Sequence, residues 1–175
     1  MELRYLLQEA LENSRETIVA VDKEYEKVFG RSCGGMLWED RTEDADVLFV
    51  AAGSLASEAS VAVDALREAG IAAGVIGVRV YRPFPNEELV EATRRARLVL
   101  VFDKSLSYGN AGPICTDLKA ALYGSESNPV VQGHIAGLGG RDIKAREMAE
   151  VAQTALQNLE AGITNKPTEW LNCQI

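Results

Sequence analysis

Three short apolar runs alternate with stretches of helical spacing, and this pattern constrains the chain more than any other feature. The runs are Asp46–Ala52, closed by Gly53; Ile71–Val80, stopped by Pro83 and Pro85; and Arg97–Asp103. Proline cannot donate to a strand ladder, so the second run ends there. Between the runs, Ala59, Ala62, Val63, Leu66 and Ala69 mark one helix, and Asn86 to about Ala96 a second. A third is predicted from about Ile114 to Leu122, then a short strand over 129–132 and a last helix carrying Met148, Val151, Ala152, Ala155, Leu156 and Leu159. A run that is apolar at every position is covered on both faces, so the fold class is α/β: a three-layer, mostly parallel sheet with helices on both faces. Right-handed crossovers place all strand carboxyl ends on one edge, where open α/β sheets put ligands or partners. Gly53-Ser54, Arg82-Pro83-Phe84-Pro85 and Asp103-Lys104 fall on that edge.

The flanks read differently. Leu3, Leu6, Leu7, Ala10, Leu11, Ser14, Ile18, Val21, Tyr25 and Val28 recur at three- and four-residue steps, which predicts a long amphipathic helix ended by Gly30. Residues 30–45 read as a linker and 161–175 as a loosely held tail, so the expected division is 1–45, 46–160 and 161–175. A chain of 175 residues fits one domain.

Charge and rare residues narrow the chemistry. The formal net charge is −8, and residues 1–45 hold eleven acidic against six basic side chains. Such a chain repels phosphate backbones, so nucleic acid is not an expected partner. No apolar run is long enough to span a membrane, and the start lacks the layout of a signal peptide, so a cytoplasmic location is expected. Cys33, Cys115 and Cys173 are scattered with no CxxC, which leaves no encoded iron–sulfur or zinc site. The single histidine, His134, excludes chemistry that needs two.

The candidate chemical groups each have a structural counterpart. Gly137-Leu138-Gly139-Gly140 before a helix could cradle a phosphate, but it is neither GxGxxG nor a P-loop; a tight turn with Asp142 as the helix N-cap accounts for it. Ser54 or Ser57 reads as a cap for the first inner helix. Arg94, Arg95 and Arg97 lie at a helix end, where cations are favoured. Asp103-Lys104 could be an acid/base pair, or a buried ion pair at a strand end. His134 reads as a hydrogen-bonded structural group beside a turn. No GxSxG elbow is present.

Several segments together resemble one family. They are Val28-Phe29-Gly30-Arg31, Glu43–Asp46 leading into Val50–Ser54, Ala65–Gly70, Val78–Pro85, Val101–Lys104 and Gly137–Asp142. In this order they resemble the carboxy-terminal part of the alpha subunit of pyruvate:ferredoxin oxidoreductase and related 2-oxoacid:acceptor oxidoreductases. The resemblance implies a fold similar to the carboxy-terminal domain of transketolase. It implies an enzyme complex that converts a 2-oxoacid and coenzyme A to acyl-CoA and CO2, with electrons passed to ferredoxin or flavodoxin. Thiamine diphosphate, Mg and iron–sulfur clusters are implied in the remainder of that complex, and none in this chain.

The family's pyrimidine-binding domain has no counterpart here, and no catalytic, cofactor-binding or metal residue is carried over. The chain is therefore expected to be inactive alone, as an excised or separately encoded assembly domain, with homo-oligomer formation left open. Its candidate interface is Tyr81, Arg82, Pro83, Phe84, Pro85, Asp103, Lys104, Gly139, Gly140, Arg141 and Asp142. Two alternatives stand beside this. One is a free-standing doubly wound enzyme binding a small molecule or nucleotide at Gly53-Ser54 and Gly137–Gly140. The other is the equivalent domain of another thiamine enzyme.

Overall fold

The computed structural model describes residues 1–126 and 128–174. Its elements in chain order are α1 (Glu2–Phe29), β1 (Leu37–Asp40), β2 (Val47–Ala51), α2 (Ser54–Glu68), β3 (Ala73–Val78) and α3 (Asn86–Thr93). Then come β4 (Leu98–Asp103), α4 (Pro113–Leu122), β5 (Val130–Ile135), a 3-10 turn (Leu138–Gly140), α5 (Ala145–Glu160) and β6 (Glu169–Trp170). They build one six-stranded sheet in the order β1-β3-β2-β4-β5-β6, parallel throughout except for β1.

The apolar runs become β2, β3 and β4 because each face of these strands has its own core. Val47, Phe49 and Ala51 of β2, with Leu98, Leu100 and Phe102 of β4, pack under α2 and α5. The alternate residues Leu48, Val50, Val99 and Val101 pack under Leu89 of α3 and Leu118 of α4. Successive side chains point to opposite faces, so a strand sandwiched between helix layers has no polar position.

Both flanks take more part in the sheet than expected. Inside the expected linker, β1 pairs antiparallel with β3, Leu37 opposite Val78 and Trp38 opposite Gly77. The indole fits because Gly77 has no side chain: a Cβ there would lie 2.9 Å from Trp38 Cε3. Inside the expected loose tail, β6 pairs with β5, His134 opposite Glu169 and Ile135 opposite Trp170. Neither strand carries an apolar run, since each lies at a sheet edge and is only partly buried.

The fourth expected strand also runs further than 129–132, so His134 stands within β5 and not beside a turn. Helix starts differ from expectation as well. The N-cap positions are Gly53 for α2 and Lys144 for α5, and not Ser54 or Ser57 or Asp142, while α3 starts at Asn86 behind Pro85.

Helix α1 forms as its spacing predicts, yet it contains no buried residue. Ile18 touches the core under α3 and α4. Arg15 gives the firmest tie: it bonds both carboxylate oxygens of Glu88 at 2.8 and 2.9 Å and donates to the Phe84 carbonyl at 2.7 Å. One guanidinium nitrogen is shared between the two Glu88 oxygens while the other is anchored on a backbone carbonyl, and a half-shielded charge held at two places is worth more than an ordinary surface pair. Arg15→Ala is expected to lower stability by about 1–2 kcal/mol and to raise amide exchange in α1 above that in α2. Unchanged exchange in α1 would show that Ile18 holds the helix alone.

Candidate functional site

The expected interface residues lie at the carboxyl edge in two groups joined by α4. The first is the turn after β3. The Arg82 guanidinium sits over the Tyr81 ring at 4.0 Å and over the Phe84 ring at 5.7 Å. It also pairs with Asp117 of α4 at 2.8 Å, to which the Tyr81 hydroxyl donates at 3.1 Å. Tyr81 and Phe84 meet edge to face at 6.0 Å, and the Arg82–Pro83 peptide is cis. Pro83, Phe84 and Pro85 are buried at the base of this stack while half of the Arg82 side chain stays in solvent. The result is a fixed platform of one aromatic face and one cation, residue types favoured at protein interfaces.

The second group is Asp103, Lys104 and the glycine loop. Asp103 is not paired with Lys104. It is fully buried at the end of β4, and its two oxygens accept the Ile114 and Cys115 amides at 3.0 Å each. These are orphan donors at the start of α4, so the carboxylate caps that helix from a neighbouring strand. Burial raises the Asp103 pKa, against the two amides that lower it. Each oxygen holds one amide and the side chain is closed off from solvent, so Asp103 serves the start of α4. Lys104 is exposed, with its aliphatic stem laid on Gly137 at 3.3 Å from where a Cβ would stand.

The glycine loop turns through left-handed conformations at Gly137, Gly139 and Gly140, with φ of 73°, 62° and 74°. That need for positive φ explains the glycines. The loop does not feed directly into a helix. Residues 141–144 intervene, and the start of α5 is already occupied by carboxylates: the Ala145 amide donates to Glu58 at 2.6 Å and the Lys144 amide to Glu147 at 2.7 Å. A phosphate at the start of α5 would meet two acidic groups. Arg141 and Asp142 turn toward the carboxy-terminal segment: the Arg141 guanidinium donates to the Asn172 carbonyl, and Asn172 Nδ2 to the Asp142 carbonyl at 3.2 Å.

No hydrogen bond or ion pair connects the Tyr81–Pro85 turn directly to the Gly139–Asp142 loop among the described residues. Helix α4 joins them indirectly, held at its start by Asp103 and paired to Arg82 through Asp117. Arg15, Glu58, Gly112, Asp117 and Asn172 carry this arrangement, and no sequence motif marks them. Gly112-Pro113 was the one available signal, because proline at a first helical position announces a helix start.

Residues 45–148 match the model of the family described as pyruvate:ferredoxin oxidoreductase core domain II. The chain belongs to that family. Across nearly its whole length it is also similar to curated relatives. It is 40% identical over 98% of its length to the pyruvate synthase subunit PorA of Pyrococcus abyssi. It is 37% identical over 97% of its length to the ketoisovalerate oxidoreductase subunit VorA of Pyrococcus horikoshii. In both cases it spans 43% of the relative. Among solved structures, a split-gene transketolase, described as an inactive beta4 tetramer, matches 73% of this chain and 43% of its own, with a TM-score of 0.57 and 26% identity. The core domain II sheet described above is thus of the transketolase carboxy-terminal kind. Among the described residues, no helix is long and apolar enough to cross a membrane.

Proposed function

We propose that this core domain II chain is a non-catalytic assembly domain of a thiamine-diphosphate-dependent 2-oxoacid:ferredoxin or flavodoxin oxidoreductase. The complex would convert a 2-oxoacid and coenzyme A to acyl-CoA and CO2. The observation that carries this is α1. All of its first nine residues are exposed, including Leu3 at 82% and Leu7 at 62%, in a helix whose spacing calls for a covered face. An amphipathic helix whose first turns leave their apolar side chains in solvent, and which touches its own domain only further along at Arg15 and Ile18, is built to be covered by another body. The rest of the proposed interface is the Tyr81–Pro85 platform with Asp103, Lys104, Gly139, Gly140, Arg141 and Asp142. Thiamine diphosphate, Mg and the iron–sulfur clusters belong in this reading to the covering subunits. Similarity to the PorA and VorA subunits over 97–98% of the chain supports it. So does the commitment of both Asp103 oxygens to α4.

The test is affinity capture of the chain from its source. Recovery of thiamine diphosphate and iron in stoichiometric amounts, with 2-oxoacid-dependent ferredoxin reduction, is expected. Leu3→Glu with Leu7→Glu should reduce that recovery at least roughly tenfold and leave the melting curve of the isolated chain unchanged, because both positions are exposed. Turnover of a 2-oxoacid by the chain alone, or saturable nucleotide binding at Gly53-Ser54, would overturn the assignment.

A further inference from the structure

His134 is fully buried, and neither ring nitrogen has a hydrogen-bond partner. It is therefore not the satisfied structural group that its sequence setting suggests. Buried polar atoms without partners are rare in native proteins and cost free energy. The ring stacks on Phe102 of β4 at 4.9 Å and 18°. From the other side it faces β6, where Glu169 Oε2 lies 3.5 Å from Nε2, an ion-pair distance at which no hydrogen bond is formed.

Few contacts hold the segment that covers this ring. They are a two-residue strand, the Ile163 amide on the Asn158 carbonyl at 2.8 Å, the Leu171 amide on the Ile135 carbonyl at 2.9 Å, the Asn172 contacts to Arg141, Asp142 and Glu147, and one apolar side chain, Leu171, against the core. Segments with so few ties open locally at low cost.

We propose that residues 163–174 form a proton-sensitive strap, closed over His134 while the ring is neutral and lifted when the ring takes up a proton. Closing buries an imidazole whose charged form has only a carboxylate at 3.5 Å, shared with Lys166, and the Val101 backbone to offset its loss of water. Opening returns it to water. The strap's own Lys166 pairs with Glu169 at 2.7 Å and competes for the carboxylate that could otherwise serve His134.

The other packed elements do not compensate. Strand β4 presents Phe102 and a backbone carbonyl, and Asp103 lies on the opposite face against α4. Helix α5 places Glu147 and Glu150 in the cleft beyond Glu169. Burial outweighs Glu169 and holds His134 well below the usual histidine range, at about 4. The sign follows. The folded, closed form has the depressed pKa, so closure is fully stable above the ordinary pKa of about 6.5 and is lost as pH falls below it. Lifting the strap would uncover the β5 edge and widen the cleft of about 310 Å³ lined by Gln132, Glu150, Thr154 and Lys166.

The test is hydrogen exchange of residues 163–174 in the full chain, expressed as protection factors so that intrinsic pH dependence cancels. Protection should fall about tenfold per pH unit between pH 6 and pH 5, with α2 unchanged, and His134→Phe should abolish that dependence. Because His134 is the single histidine, its imidazole resonance gives a second readout on the unmodified chain. Its titration should coincide with loss of strap protection. Equal protection at both pH values, an equal fall in His134→Phe, or titration of His134 under an intact strap would each overturn the proposal.

Discussion

Gly112→Ala should destabilise the chain by about 3 kcal/mol. The position is ordinary in conformation, with φ of −64°, so the requirement for glycine is steric. A Cβ there would lie 2.1 Å from Asp103 Oδ2 and 2.5 Å from Asp103 Cβ. Asp103 cannot move aside, because it ends a central, fully buried strand. The start of α4 must shift instead, which breaks the two amide bonds to the carboxylate and leaves buried donors unpaired.

The neighbouring variants separate these causes. Asp103→Ala removes the acceptors without a clash and should cost about 2 kcal/mol. Asp103→Asn keeps one acceptor and should cost about 1 kcal/mol. Urea unfolding of the three variants gives the order. A Gly112→Ala midpoint equal to that of the parent would show that α4 is not fixed by this contact, and with it the link from Asp103 to Arg82 would fall.

Phe102→Ala is expected to cost about 4 kcal/mol. The ring is fully buried, 5.7 Å from Phe49 and stacked on His134. Its loss leaves a cavity lined by β2, β4 and β5, strands that the ladder holds in register and that cannot collapse inward. Phe102→Leu, which keeps most of the volume, should cost about half as much. Unfolding free energies at one pH above 7, where His134 is neutral, isolate this packing effect from proton uptake. A cost below about 1 kcal/mol would mean the sheet relaxes around the hole.

How much of this was legible in the residues depends on where each element lies. Apolar runs report strands only when both faces are covered, so Val47–Ala51 and Leu98–Asp103 stand out while the edge strands Leu37–Asp40 and Glu169–Trp170 do not. Family membership was legible for a related reason: the Arg-Pro-Phe-Pro turn and the Gly-Leu-Gly-Gly-Arg-Asp loop are contiguous, and contiguity survives in one dimension. The role of Asp103 was not legible. A carboxylate beside a lysine suggests a pair in sequence, yet the groups that satisfy it lie eleven and twelve residues away in another element.

By itself, the sequence determined the layers: hydrophobic period sets which segments are strands and which are helices, and total burial of the strands requires helices on both faces. Tertiary structure alone decided the partners. It gave Asp103 to α4, Glu58 to the start of α5, Arg15 to the Tyr81–Pro85 turn and the carboxy-terminal strand to His134. The physical reason is that burial pattern is a local property, carried by spacing along the chain. Which polar group satisfies which depends on distances that exist only once the sheet has closed the order β1-β3-β2-β4-β5-β6.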